Sequence, residues 1–144
     1  MSDINPRETL DRALHEVLDD ILVLGSMVEE AVRASVSALK QRDLNASEKI
    51  YEGDESINKK HFEIEDRCIT LIATQQPMAK DLRLLAAVIE ISTELERMGD
   101  YAKGIAKINI LMGLEPLIKP LIDKIVISNT DSISVKETRF CIKP

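Results

Sequence analysis

Apolar residues recur along most of the chain in alternating steps of three and four, the spacing that places them on one face of an α-helix. The first such stretch runs from about Pro6 to Gln41. Pro6 suits a first helical turn, because its missing N–H needs no partner there. The apolar stripe consists of Leu10, Leu14, Val17, Ile21, Leu24, Val28 and Ala31. This pattern predicts one long amphipathic helix.

A second helical stretch follows Asp43 and Asn45, two residue types that favour helix N-caps. One half of its stripe is apolar and the other half is mixed. The apolar set is Ile50, Ile57, Ile64 and Leu71, and the mixed set is Asp54, His61, Cys68 and Gln75. A half-polar stripe is unusual for a helix that only fills a core. We interpret His61 as a structural residue and Cys68 as a small buried hydrophobe.

The third stretch has the most regular period of the chain. It begins after Pro77, which disfavours helical geometry in Gln76, and it stops near Gly113. Its predicted seam is Leu84, Val88, Ile91, Leu95, Met98, Ala102, Ile105, Asn109 and Met112. Three long helices with short connections predict an all-α fold, an antiparallel up-down-up three-helix bundle over residues 1–122. Residues 123–144 lose the helical period and are predicted to form a divergent tail that is non-helical or disordered.

Composition excludes several classes of function. The chain has a formal net charge of -6, so it has no general attraction for nucleic acid or anionic lipid. Aromatic residues are only 3% of the chain, which disfavours base stacking. No apolar run approaches the roughly 18 residues of a membrane span, and the N-terminal residues lack the order of a signal peptide. We therefore expect a cytoplasmic protein that does not insert into membranes.

The sequence offers one pair of residues with metal-binding spacing. Glu96 and Asp100 lie one helical turn apart, where like charges repel by a few tenths of a kcal/mol, roughly. A hard cation would reverse the sign of that interaction, because such ions take oxygen ligands. Solvated charges on an exposed face are the alternative, and the spacing alone favours it. Neither histidine follows a glutamate by three residues, which weakens a di-iron oxidase interpretation.

Several segments in the same order resemble one protein family. Residues 75–83 read QQPMAKDLR and residues 95–100 read LERMGD, and these resemble the two signature stretches of PhoU proteins, bacterial regulators of phosphate uptake. Residues 24–29 and 52–58 also fit the first and second helices of that family. The resemblance covers about residues 8–122. PhoU proteins contain two copies of a three-helix bundle, so this chain looks like a truncated, frameshifted or natural single-repeat member.

The resemblance implies a non-enzymatic regulator. Such a protein would link a phosphate ABC transporter, through its ATPase, to a sensor histidine kinase and so restrain the phosphate-starvation response. It also implies iron or zinc at paired E(D)xxxD motifs. The matching positions are Glu96, Asp100, Asp54 and Asn58. Asn58 offers a neutral carbonyl in place of an acid, which should weaken the binding of a hard cation.

Two alternatives and one assembly state accompany this interpretation. A metal-dependent enzyme on a helical bundle is one alternative, although no nucleophile–base pair stands out in the sequence. A bare helical oligomerisation module is the other. We also expect a homodimer, because one half of a two-bundle protein leaves exposed the face that meets the other half.

Overall fold

The computed structural model describes residues 6–113, and this range consists almost entirely of three helices. They are α1, Pro6–Gln41; α2, Leu44–Gln75; and α3, Ala79–Met112. Arg7 near the start of α1 binds Asp81 near the start of α3, so these two helices run parallel, with α2 antiparallel between them. The predicted up-down-up bundle is confirmed. The predicted tail, residues 123–144, lies outside the described residues.

Local side-chain chemistry sets the helix boundaries. Asp43 caps α2, and its Oδ1 accepts a hydrogen bond from the backbone N–H of Ala46 at 2.9 Å. Arg42 before it has a positive φ of 57°, which allows the chain to reverse within two residues. Gln76 ends α2 with a φ of 44°, immediately before Pro77. The caps and the proline therefore act where the sequence predicted them.

The apolar part of the core is formed by aliphatic side chains. The predicted stripes of α1 and α2 face it, and Cys68 is fully buried as predicted. The aromatic residues of the described part are all exposed instead: Tyr51, Phe62 and Tyr101. The buried apolar side chains at the centre are Leu10, Leu14, Val17, Leu24, Val28, Ile57, Ile64, Cys68, Leu85 and Val88. Aliphatic side chains without aromatic rings allow three long helices to pack at close range.

The predicted seam of α3 is wrong at two of its nine positions, Ile91 and Met98. Val88, Ala102 and Asn109 are buried, but Ile91 is 49% exposed and Met98 is 48% exposed. The buried stripe instead uses positions one residue further along: Leu85, Ser92, Gly99 and Ala106. Three of these four are small, so they allow α3 to approach the other helices closely. Ile91 and Met98 consequently lie toward solvent, whereas Leu84 and Leu95 still pack partly against the core.

Gly99 lies where α3 packs tightly against α2. A Cβ atom built on Gly99 would lie 3.1 Å from Cγ2 of Ile57, which is tighter than ordinary van der Waals contact. Gly53 on α2 differs, because a Cβ there would meet nothing within 4 Å. Of these two glycines, only Gly99 lies where an added methyl group would crowd a neighbouring helix.

We predict opposite consequences for alanine at these two glycines. Gly53→Ala should stabilise the fold by about 1 kcal/mol, the usual difference between glycine and alanine inside a helix. Gly99→Ala should gain less or lose stability, because the new methyl group crowds Ile57. Urea unfolding of both variants measures the difference. An equal gain at the two positions would contradict the close approach at Gly99.

Candidate functional site on α2 and α3

A buried carboxylate lies at the contact between α2 and α3. Asp54 on α2 is only 3% exposed, and its Oδ2 accepts a hydrogen bond from the Lys103 ammonium of α3 at 2.6 Å. The Asn58 amide, one turn further along α2, donates to the same oxygen at 3.1 Å. A buried carboxylate is strongly unfavourable unless a charge partner compensates for its lost hydration. Lys103 supplies that charge from the neighbouring helix.

The environment keeps Lys103 protonated. Its hydrogen bond to Asp54 raises the pKa of the Lys103 ammonium, and the negative charges of Asp54 and Asp100 raise it further, while burial opposes them. The ammonium nitrogen also lies 5.5 Å from the centre of the Tyr51 ring. The site therefore contains its own positive charge at neutral pH.

Three buried polar atoms on the same side of α2 have no hydrogen-bond partner within the described residues. They are Asp54 Oδ1, Asn58 Oδ1 and His61 Nδ1. The two oxygens can only accept hydrogen bonds or bind a cation. The other ring nitrogen of His61, Nε2, lies 3.9 Å from a carboxylate oxygen of Glu65. An unsatisfied buried acceptor is costly, so this row of atoms favours a donor or a positive ion.

The two acids predicted on α3, Glu96 and Asp100, lie on the helix that carries Lys103, at one-turn spacing from each other. Glu96 is half-buried and Asp100 is exposed, and Asp100 is close enough to Lys103 to influence its pKa. However, no three histidine, cysteine, aspartate or glutamate side chains between residues 6 and 113 are gathered closely enough to hold an ion. Metal binding at the four predicted residues therefore stays a prediction. It requires the acids of α3 to come closer to Asp54 than they are in this structure.

A cavity of about 320 Å³ opens beside this contact. Small residues from all three helices leave the space, and Asp54 and Lys103 lie among its walls. The small lining residues are Ala31, Ala34, Gly53 and Gly99. The remaining wall combines the apolar Met27, Ile50 and Ile57 with the charged Glu30 and Lys49. The arrangement offers room for an apolar group next to a charged pair.

A second polar contact joins α3 to the connection between α1 and α2. Asn109 is fully buried, and its Nδ2 donates to the Ser47 hydroxyl at 2.8 Å and to the Ala38 carbonyl at 3.2 Å. Its Oδ1 accepts from Arg42 at 3.4 Å. Asn109 thus takes the place of an apolar residue on the seam and holds the connection against the end of α3.

The sequence prediction missed the roles of Lys103 and Asn109. The half-polar stripe of α2 was the available signal, because buried Asp54 needs a partner on a facing helix. Identifying that partner required the register between α2 and α3, which the residue pattern of one helix does not contain.

Residues 21–108 match the sequence model described as PhoU domain. The chain belongs to the PhoU family. Among similar proteins, the phosphate-specific transport system accessory protein PhoU homolog of Aquifex aeolicus is 36% identical over 114 residues, 79% of this chain and 52% of its own length. The homolog of Clostridium acetobutylicum is 40% identical over 102 residues, 70% of this chain and 47% of its own length.

The chain spans about half the length of the curated relatives it matches. The PhoU protein of Serratia marcescens agrees with this, since the match covers 65% of this chain and 39% of that protein at 34% identity. The relatives are named as accessory proteins of phosphate transport, and family membership confirms the resemblance expected from the sequence. Within residues 6–113, no helix has the length and apolar character required to cross a membrane.

The Lys103–Asp54 ion pair predicts a specific loss of stability at high pH. Because folding raises the pKa of Lys103, its charge stabilises the fold fully at neutral pH, and this contribution is lost as the pH rises through the raised value. Lys103→Arg should preserve the charge to higher pH. Urea unfolding at about pH 8 and about pH 11 should show a smaller decrease for this variant. Equal decreases would contradict the role of the Lys103 charge, since the other lysines are common to both proteins.

Proposed function

We propose that this chain is a non-enzymatic regulator of phosphate uptake that acts in the cytoplasm through protein contacts. Membership of the PhoU family carries the proposal, together with relatives named as accessory proteins of phosphate-specific transport. Its partners are the ATPase of a phosphate ABC transporter and a sensor histidine kinase. By binding both, the chain restrains the phosphate-starvation response when phosphate is plentiful.

The distribution of side chains supports a contact protein over an enzyme. The aromatic residues of the described part are exposed, where aromatic side chains contribute most to binding other proteins. Burial raises the pKa of the Cys68 thiol and so disfavours the reactive thiolate. Asp54 and Lys103 bind each other across two helices. These features favour recognition surfaces on a stable bundle.

A reporter of phosphate starvation tests the proposed regulation. Deleting the gene for this chain should raise the reporter in phosphate-rich medium, and re-expressing the full chain should lower it again. The tagged chain should also co-purify with the transporter ATPase and with the kinase. If the reporter is unchanged after the deletion while both partners remain active, regulation by this chain would be contradicted. Self-association without any effect on the reporter would favour the bare oligomerisation module.

We also propose that iron or zinc binds at Asp54, Asn58, Glu96 and Asp100. The unpartnered oxygens of Asp54 and Asn58 support this site, since hard or borderline cations take such ligands. A bound ion would neutralise the acids and join α2 to α3. The Lys103 ammonium competes with the ion, because it already lies 2.6 Å from Asp54.

Calorimetric titration with iron or zinc tests the metal site. The double variant Glu96→Gln/Asp100→Asn should abolish binding, and Asn58→Asp should tighten it by adding a negative ligand. Glu90→Gln is the matched control, because Glu90 is an exposed acid on the same helix. Unchanged affinity in the double variant would place the ion elsewhere. No heat with the parent chain would favour the alternative, in which Glu96 and Asp100 are solvated charges on an exposed helix face.

We propose, finally, that the chain works as a homodimer. Large apolar side chains remain exposed on all three helices, and a pairing of two copies would remove part of this surface from water. The mass of the full chain at tens of micromolar, a concentration near common affinities, tests this state.

A further inference from the structure

The side of α3 that borders α1 carries large apolar residues at regular intervals. Leu84, Ile91, Met98 and Ile105 recur every seven residues, so they follow one side of the helix. Ile91 and Met98, at the middle of this row, are about half exposed. Leu84 packs partly against the core, whereas Ile91 and Met98 lie outward beside the small residues Ser92 and Gly99. This row is one edge of a surface that we call the α1–α3 face.

The other edge of the α1–α3 face comes from α1. Leu18, Leu22 and Val36 are exposed there, and Leu22 is the most exposed of them at 68%. A groove of about 350 Å³ separates the two helices, with Gly25, Val28 and Val32 on one wall and Leu95 and Met98 on the other. The face therefore combines projecting apolar side chains with a groove that accepts such side chains.

We propose that two copies of this chain pair through the α1–α3 face about a two-fold axis. The inference rests on the homodimer proposed above and assigns its interface. A two-fold interface must be complementary to itself. If the two α3 helices cross antiparallel with the axis midway between Ile91 and Met98, each Ile91 meets the other copy's Met98. Leu84 and Ile105 are then matched in the same way, since the row has regular spacing.

Charge at the edge of the groove also favours a second copy. Glu29 and Arg33, one turn apart on α1, form an ion pair at 2.7 Å and are the charged residues that line the groove. This pair presents both charge signs to an antiparallel copy. Glu29 of one copy can therefore pair with Arg33 of the other without like-charge repulsion. This matters because the whole chain is acidic, and two copies repel each other elsewhere.

The exposed apolar residues of α2 do not meet this condition. Phe62 is 63% exposed and Ile69 is 53% exposed, so their apolar surface is at least as accessible as that of Ile91 and Met98. However, the surface around Phe62 includes the acids Glu55, Glu63 and Asp66, with Lys59 as the single base among its lining residues. Two copies meeting there would bring six acids together, so α2 is disfavoured as the dimer surface.

Matched double variants test the assignment. Ile91→Glu/Met98→Glu places two acids on the α1–α3 face, and Phe62→Glu/Ile69→Glu places two acids with the same spacing on α2. Sedimentation of the full chain at tens of micromolar should give a dimer for the parent and for the α2 variant. The α3 variant should give a monomer, with its helical circular dichroism retained, because the replaced side chains lie outside the core.

Each outcome separates the interface from the dimer itself. A dimeric α3 variant, or a monomeric α2 variant beside a dimeric α3 variant, would overturn the assignment while leaving the proposed homodimer intact. A parent chain that is monomeric at this concentration would overturn both. If that monomer loses thermal stability on Ile91→Glu/Met98→Glu, the occupant of the face is another part of the same chain, and no second copy binds there. A dimeric α2 variant beside a monomeric α3 variant supports the α1–α3 face.

Discussion

The ion pair between Asp54 and Lys103 constrains how α3 can lie against the rest of the bundle. Asp54 is buried, so its carboxylate is tolerated only where a cation from a neighbouring helix reaches it. Sliding or rotating α3 by one residue would remove Lys103 from this position. Asn109 near the end of α3 and Asp81 near its start add polar contacts at both ends. Together these contacts select one register among several that an aliphatic core alone would accept.

The selected register explains the two sides of α3. With Lys103 facing Asp54, Gly99 comes to lie against Ile57, and Ser92 and Ala106 also point inward. Close packing of these small residues compensates for the limited apolar area that they bury. Ile91 and Met98 then have no place in the core. The interior polar contact and the exposed α1–α3 face are therefore linked through the orientation of a single helix.

The sequence predicted the helices better than their orientation. Caps and prolines are local signals, so the boundaries near Pro6, Asp43 and Pro77 could be read directly. The stripes of α1 and α2 were also correct, because their apolar residues coincide with the inward side. In α3 the hydrophobic period favoured Ile91 and Met98, whereas the inward side at those turns is formed by the small residues Ser92 and Gly99. Size and close approach depend on the facing helix, and a single-helix pattern does not report them.

The candidate site shows the same division. Asp54 and Asn58 stand one turn apart in sequence and contact each other in the structure. The relation of Glu96 and Asp100 to them depends on the register, as does the choice of Lys103 as partner. Family resemblance supplied the four residues together, but the local pattern offered no reason to expect the charge of Lys103 beside Asp54.

A double-mutant cycle on Asp54 and Lys103 tests this account most directly. Unfolding free energies of the parent, Asp54→Asn, Lys103→Met and the double variant give the coupling between the two side chains. The account predicts a favourable coupling of about 1 to 3 kcal/mol, since the residues share a partly buried hydrogen-bonded ion pair. A coupling near zero would show that the register of α3 does not depend on this contact and would contradict the account.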